Sequence, residues 1–219
     1  MLLQDSLGGT SKALMIACVS PSEVYSEETM STLKALITSG SYGTDKDTSH
    51  SYIETYDSLF SEYKDKKINL LEIGNHHGGS LSLWNDYFSD ANIIGIELDE
   101  RSGLRQFDDI ENVTIYENTD AISFDTIRKI EDLGIKFDII IDDGSHLPNH
   151  QVFSCKFWSQ LLKDDGVFVI EDVQDIQFCE PIMNSLPVGF NDIKTIDLRS
   201  NKDRYDDIMI VAKKSGGDN

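Results

Sequence analysis

From Lys67 onward, short unbroken apolar runs alternate with longer stretches of helical period. The runs are "INLLEIG" (68–74), "ANIIGIEL" (91–98), "NVTIYEN" (112–118), "KFDIIIDDG" (136–144) and "DGVFVIED" (165–172). Continuous apolar strands are expected where helices cover both faces of a sheet. Helices fit "GSLSLWNDYF" (79–88), "DAISFDTIRKIEDLG" (120–134) and "PNHQVFSCKFWSQLL" (148–162), in which apolar residues recur at three- and four-residue spacing. Strand, helix and strand joined by short loops predict right-handed crossovers and a doubly wound α/β fold. Two closing runs, "DIKTIDL" (192–198) and "DDIMIVAK" (206–213), have no room between them for a crossover helix, so they pair antiparallel at one edge. The prediction is a mostly parallel seven-stranded sheet with an antiparallel C-terminal edge strand and N-terminal helices. One of those helices lies in "PSEVYSEETMSTLKALITSG" (21–40), capped by Ser22 or Ser26 and ended by a left-handed Gly40. Another covers "HSYIETYDSLFSEYK" (50–64), where Tyr52, Tyr56, Leu59 and Tyr63 form a stripe that reads as core packing.

A length of 219 residues accommodates one such domain with a small appendage. The divisions are an arm and helix over 1–40 and the α/β domain over 41–219. A net charge of −20 argues against a nucleic-acid partner and against anionic membranes, since both need clustered Lys and Arg. Cys18, Cys155 and Cys179 are too scattered for a disulfide framework or a CxxC metal site, and a cytoplasmic setting is expected. "ALMIACV" (13–19) is too short to span a bilayer, and with Asp5 before it the segment lacks the basic flank of a signal peptide.

Composition leaves the chemistry open, whereas the strand ends do not. In doubly wound sheets ligands bind beyond the carboxyl ends of the strands, where the strand order reverses. Those ends carry Glu72, Gly74 and Gly78, then Glu97 and Asp99, then Asp120, then Asp142, Asp143 and His146, and lastly Glu171 and Asp172. The turn "EIGNHHGGS" (72–80) is not a dinucleotide fingerprint, because His76 stands where the second glycine is needed. It suits a nucleoside without phosphates: Gly74 lets a ligand approach the backbone, and Glu97 can accept from both ribose hydroxyls. Glu72 can serve a cationic tail, directly or through water. S-adenosylmethionine, with a ribose, an ammonium and a sulfonium, meets these demands.

"GSYGTDKDTSHSYIETY" (40–56), the glycine turn, "IIGIELD" (93–99), "IIIDDGSH" (139–146) and "GVFVIEDV" (166–173) together resemble class I S-adenosylmethionine-dependent O-methyltransferases, closest to those that methylate sugar hydroxyls on macrolides and rhamnosides. The resemblance implies a Rossmann-like methyltransferase fold and a cofactor contacted by Tyr42 and Thr44, with Lys46 a further contributor and Asp120 at the adenine. It implies Mg²⁺ held by Asp143, Glu171 and Asp172, His146 as base, Asp142 on the cofactor side, and oligomers built through N-terminal helices. Catechol-directed relatives place a metal ligand nearer Asp142, so the choice between Asp142 and Asp143 stays open. The chemistry agrees with the residue types. A sugar hydroxyl must lose its proton as it attacks the methyl group, which a divalent ion on hard oxygen ligands and a nearby imidazole both promote. A catechol-type enzyme and a non-catalytic cofactor-binding module are the alternative readings. His146 and His150, four apart, lack the surroundings of a zinc motif.

Overall fold

The computed structural model describes residues 32–216. Seven strands, β1 (Lys67–Ile73), β2 (Asp90–Ile96), β3 (Val113–Tyr116), β4 (Phe137–Asp142), β5 (Leu162–Ile170), β6 (Phe190–Asp197) and β7 (Ile208–Lys214), form one sheet in the order β3-β2-β1-β4-β5-β7-β6. The helices are α1 (Leu33–Ser39), α2 (Ile53–Phe60), α3 (Gly79–Tyr87), α4 (Phe124–Glu131), α5 (Pro148–Phe157) and α6 (Ile176–Met183), with one further helical turn at Arg199–Lys202.

The two-residue period of the strands divides the core into two layers. Ile68 and Leu70 of β1, Ile139 and Ile141 of β4 and Val167 and Val169 of β5 face α1, α2 and α3, whose Leu33, Tyr56, Phe60 and Trp84 are fully buried. Leu71 and Ile73, Ile140, and Phe168 and Ile170 face α4, α5 and α6, packing with Ile127, Ile130, Cys155 and Ile182. Helices on both faces are thus required by apolar side chains on both faces. Five strands are mutually parallel through β3-β2-β1-β4-β5, as the apolar runs predict.

At the far edge the two closing strands pair antiparallel, as the sequence predicts. The antiparallel strand is β7, inserted between β5 and β6, so β6 is the edge. Burial explains the order: residues 208–212 are buried, whereas β6 is mostly exposed, with Asn191, Asp192 and Lys194 in its length. A polar edge strand also discourages pairing with another chain. Helix α1 begins at a Thr32 cap, whose hydroxyl accepts from the Ala35 amide at 3.1 Å. The caps proposed at Ser22 and Ser26, the arm before them, and Cys18 lie outside the described residues. Gly40 is not left-handed. It is extended (φ −100°, ψ 172°), and its amide closes the last turn on the Leu36 carbonyl. Helix α6 carries Pro181 within its eight residues, and the side chain of Asp175 caps it by accepting from the Gln177 amide. Among the described residues no helix is long and apolar enough to cross a membrane.

Candidate active site

A cleft of about 700 Å³ opens beyond the carboxyl ends of the strands, where β1 and β4 diverge in the strand order. Ile73 and Gly74 lie at the end of β1, Ile96 and Glu97 at the end of β2, Thr119 and Asp120 beyond β3, and Asp142 to His146 at and beyond the end of β4; all line it. Gly74 is left-handed (φ +83°), and a Cβ there would stand 2.0 Å from the Asp143 carbonyl oxygen. Only glycine lets the β1 and β4 tips close together in this way. Glu97 is aimed by the glycine turn itself. Its Oε2 accepts from the Asn75 and His76 amides at 2.9 and 2.7 Å, and Oε1 accepts from the Asp99 amide at 3.2 Å. Three backbone donors hold the carboxylate in place on the cleft wall.

The candidate cofactor residues separate into two sets. Thr44, Gly74, Glu97, Asp120 and Asp142 line the cleft. Glu72 does not: it is fully buried, accepting from Ser80 Oγ at 2.7 Å and Trp84 Nε1 at 3.1 Å. Tyr42 turns toward α3, where its hydroxyl donates to Asp86 at 2.7 Å. Gly78 serves as the left-handed cap of α3. In a strand-end sequence these residues look alike; helix packing decides which of them face the opening.

Beside the cleft lies an acid cluster. Asp143, His146 and Asp172 each offer one ligand atom within 4.8 Å of the others. Asp143 Oδ1 is 3.2 Å from His146 Nε2, and Asp172 Oδ2 is 3.6 Å from His146 Nδ1. His146 and Asp172 both hold left-handed backbones (φ +58° and +54°), a conformation costing about 1–3 kcal/mol per non-glycine residue that concentrates at functional sites. Two carboxylate oxygens and one imidazole nitrogen suit a divalent cation, and the oxygens suit Mg²⁺. Glu171 is not in this group. Its carboxylate accepts from the Tyr56 hydroxyl and lies 2.6 Å from Lys46 Nζ. Lys46 is fully buried and also reaches Asp143 Oδ2 at 2.8 Å and Glu72 at 3.8 Å.

The charges explain this arrangement. Burial opposes the Lys46 ammonium, but Asp143, Glu171 and Glu72 hold it protonated. Burial, and then the charge of Asp143, pushes the Glu171 carboxyl well up. Burial also disfavours a charged His146, yet its hydrogen bond to Asp143 and the fields of Asp143, Asp172 and Asp142 push it up to about 9. The imidazole, expected to titrate near neutrality, therefore carries its proton at neutral pH in this arrangement. A raised folded-state value means that its stabilising contribution is complete below the unfolded value of about 6.5 and is lost as pH rises through about 9. Nuclear magnetic resonance titration of the metal-free protein should place the His146 ring transition well above 6.5; a midpoint at or below that would show that the two acids do not face it.

Several residues that build this site carry no functional signal in the sequence. Tyr52 and Tyr56 read as core, and their rings are buried, but their hydroxyls end on Asp172 and Glu171. A stripe of helical spacing reports the ring and hides the polar tip. Gln151 is buried and donates to the Glu171 backbone carbonyl at 2.9 Å, with no motif to announce it.

Comparison with known proteins divides the chain. The kinesin motor domain family model matches residues 1–35. Kinesin-like protein KIN-4A of Oryza sativa is 67% identical over 33 residues, which is 15% of this chain and 3% of that protein. A different similarity covers more of the molecule. The 8-demethyl-8-alpha-L-rhamnosyl tetracenomycin-C 2'-O-methyltransferase of Streptomyces olivaceus is 29% identical over 140 residues, 61% of this chain and 36% of that enzyme. The chain thus spans about a third of the length of the curated methyltransferases it matches. Among solved structures, the MycE methyltransferase from the mycinamycin biosynthetic pathway, in complex with Mg, SAH and mycinamycin VI, superposes with a TM-score of 0.66 at 22% identity, covering 80% of this chain and 52% of that one. The motif resemblance to sugar O-methyltransferases is borne out in sequence, and the fold is that of a Rossmann-like class I methyltransferase.

Proposed function

We propose that this chain transfers a methyl group from S-adenosylmethionine to a hydroxyl of a sugar or glycosylated small molecule, with Mg²⁺ as an aid and residues 41–219 as the catalytic unit. The observation that carries the reading is the placement of the Asp143–His146–Asp172 group beside a cleft whose wall holds Glu97 and Gly74. The similarity to sugar O-methyltransferases and the MycE neighbour's Mg and SAH support it.

In this reading Glu97 accepts from the ribose hydroxyls and Asp120 lies toward the adenine. Thr44 and Asp142 border the remaining length of the cofactor. Asp143 and Asp172 hold the divalent ion, with Glu171 behind them as the partner of Lys46 and Tyr56. When bound, the ion supplies positive charge that lowers the pKa of an alcohol and orients it. The methyl carbon leaves a sulfonium, which departs as a neutral thioether, while a C–O bond forms and the hydroxyl proton passes to His146. For that transfer the imidazole must enter the reaction neutral, so the negative field that now holds its proton has to be offset when the site is filled.

Residues 1–35, similar to a kinesin segment, lend no support to a homo-oligomer built through methyltransferase-type N-terminal helices. The test is a methyl-donor assay over a panel of nucleotide sugars, glycosides and catechols, with and without EDTA. Turnover of a glycoside or nucleotide sugar that EDTA abolishes and Mg²⁺ restores is expected. Turnover of catechols alone would reassign the acceptor, and cofactor binding without any turnover would indicate a binding module.

A further inference from the structure

The two acids of the cluster divide their oxygens in the same way. Asp143 turns Oδ2 to Lys46 Nζ (2.8 Å) and Oδ1 to His146 (3.2 Å). Asp172 turns Oδ1 to the Tyr52 hydroxyl, which donates at 2.6 Å, and to His50 Nδ1 at 3.2 Å, while Oδ2 faces His146 at 3.6 Å. Among the described residues these rear contacts all come from one stretch of chain, residues 46–52, in the connection between α1 and α2.

We infer that this connection is a positioning strap, gripping the rear oxygens of Asp143 and Asp172 so that their front oxygens converge beside His146. The inference rests on the metal-assisted reading above and adds three positioning residues to it: Lys46, His50 and Tyr52.

The physical need is plain. Two carboxylates near one another repel and, left to rotate, splay apart. Holding them together without a metal takes opposite charge and fixed donors on the side away from the opening. Lys46 supplies the charge, in a fully buried position where an ammonium persists only among acids. Tyr52 supplies a donor that cannot swing away, because its ring is fully buried and stacked on His50 with centroids 4.7 Å apart. His50 is itself buried, its Nδ1 lying 3.2 Å from Asp172 Oδ1 and 3.3 Å from Asp207 Oδ1, close approaches without hydrogen-bond geometry. The strap is tied down in turn. Lys202 donates to the Asp47 and His50 carbonyls, and the Ser51 amide donates to Asp207 Oδ1 at 3.2 Å. Its leading end, Gly43 and Thr44, borders the cleft and lies so close to Gly79 that a Cβ there would stand 2.2 Å from the Gly43 carbonyl carbon. One segment therefore touches both the cofactor cleft and the acids.

Outer groups that orient metal ligands change metal affinity about 10–100-fold when removed. Mn²⁺ binding to the full chain, followed by electron paramagnetic resonance, is therefore expected to weaken about 10-fold in Tyr52→Phe, with S-adenosylhomocysteine affinity unchanged. His50→Gln, which removes the other rear contact of Asp172, should weaken Mn²⁺ binding in the same direction. Tyr63→Phe serves as the control: it loses a tyrosine hydroxyl bonded to the Asp165 carbonyl, near the start of β5 and so at the other end of that strand from Asp172, and should leave Mn²⁺ binding as it is. Parental Mn²⁺ affinity in folded Y52F and H50Q overturns the strap while leaving the metal site standing. Absence of Mn²⁺ binding by the parent chain overturns both. Loss of folding in both variants makes the segment a structural element only and likewise overturns the inference.

Discussion

His146→Ala is expected to lower kcat by about 10²–10⁴-fold, the range contributed by a positioned general base, while S-adenosylhomocysteine affinity stays at the parental level. The separation follows from where the contacts lie. Glu97, Gly74, Thr44 and Asp120 border the cleft from β1, β2, β3 and the strap, and none depends on the imidazole. The ring nitrogens of His146 face Asp143 at 3.2 Å and Asp172 at 3.6 Å, on the side where an acceptor hydroxyl would be held. If it takes the proton in the transition state, kcat and kcat/KM should fall together, because the lost interaction is made only there. A fall in donor affinity with kcat preserved would instead make it a binding residue, and an alanine variant with parental turnover would remove it from the chemistry.

The second large effect is on the fold. Gly74→Ala should destabilise the protein by about 2–6 kcal/mol, combining backbone strain with forced repacking. Both causes act at one atom: the left-handed backbone (φ +83°) penalises any Cβ, and that Cβ would stand 2.0 Å from the Asp143 carbonyl oxygen. The oxygen is backbone at the tip of β4, so it can yield only by opening the sheet beneath the site. Roughly 5–20 °C of Tm should be lost for a domain of this size. Gly43→Ala is the comparison, since nothing lies within 4 Å of a Cβ there and its stability should be unchanged. Equal melting temperatures for G74A and G43A would show that β1 and β4 do not close as described.

The two-sided sheet is legible in the amino-acid order for identifiable reasons. Residues 139–141, 167–170 and 93–96 are apolar on both strand faces, and such runs admit only a sheet covered on two sides. Crossover handedness then brings the strand ends to one edge, so Glu97, Asp143, His146 and Asp172 group together from their positions alone. The outer edge of the sheet is less legible. Both closing runs have the composition of strands, but which one lies outermost depends on how deeply residues 208–212 sink against β5, a property of the assembled core.

Side-chain direction also separates neighbours that look alike in sequence. Glu171 and Asp172 are adjacent, yet a chain in extended or turn geometry sends them different ways: one to Lys46 and Tyr56, the other toward His146. Glu72 shares a strand end with Gly74 but points into the layer beneath α3, where Ser80 and Trp84 satisfy it. The amino-acid order alone determined the α/β class, the parallel strand set and the edge at which the acids gather, because apolar periodicity and chain handedness are local properties. Only the tertiary structure decided which acids face the cleft, that Lys46, His50 and Tyr52 stand behind them, and that His146 holds its proton, because burial and the fields of non-local charges exist only once distant segments pack together.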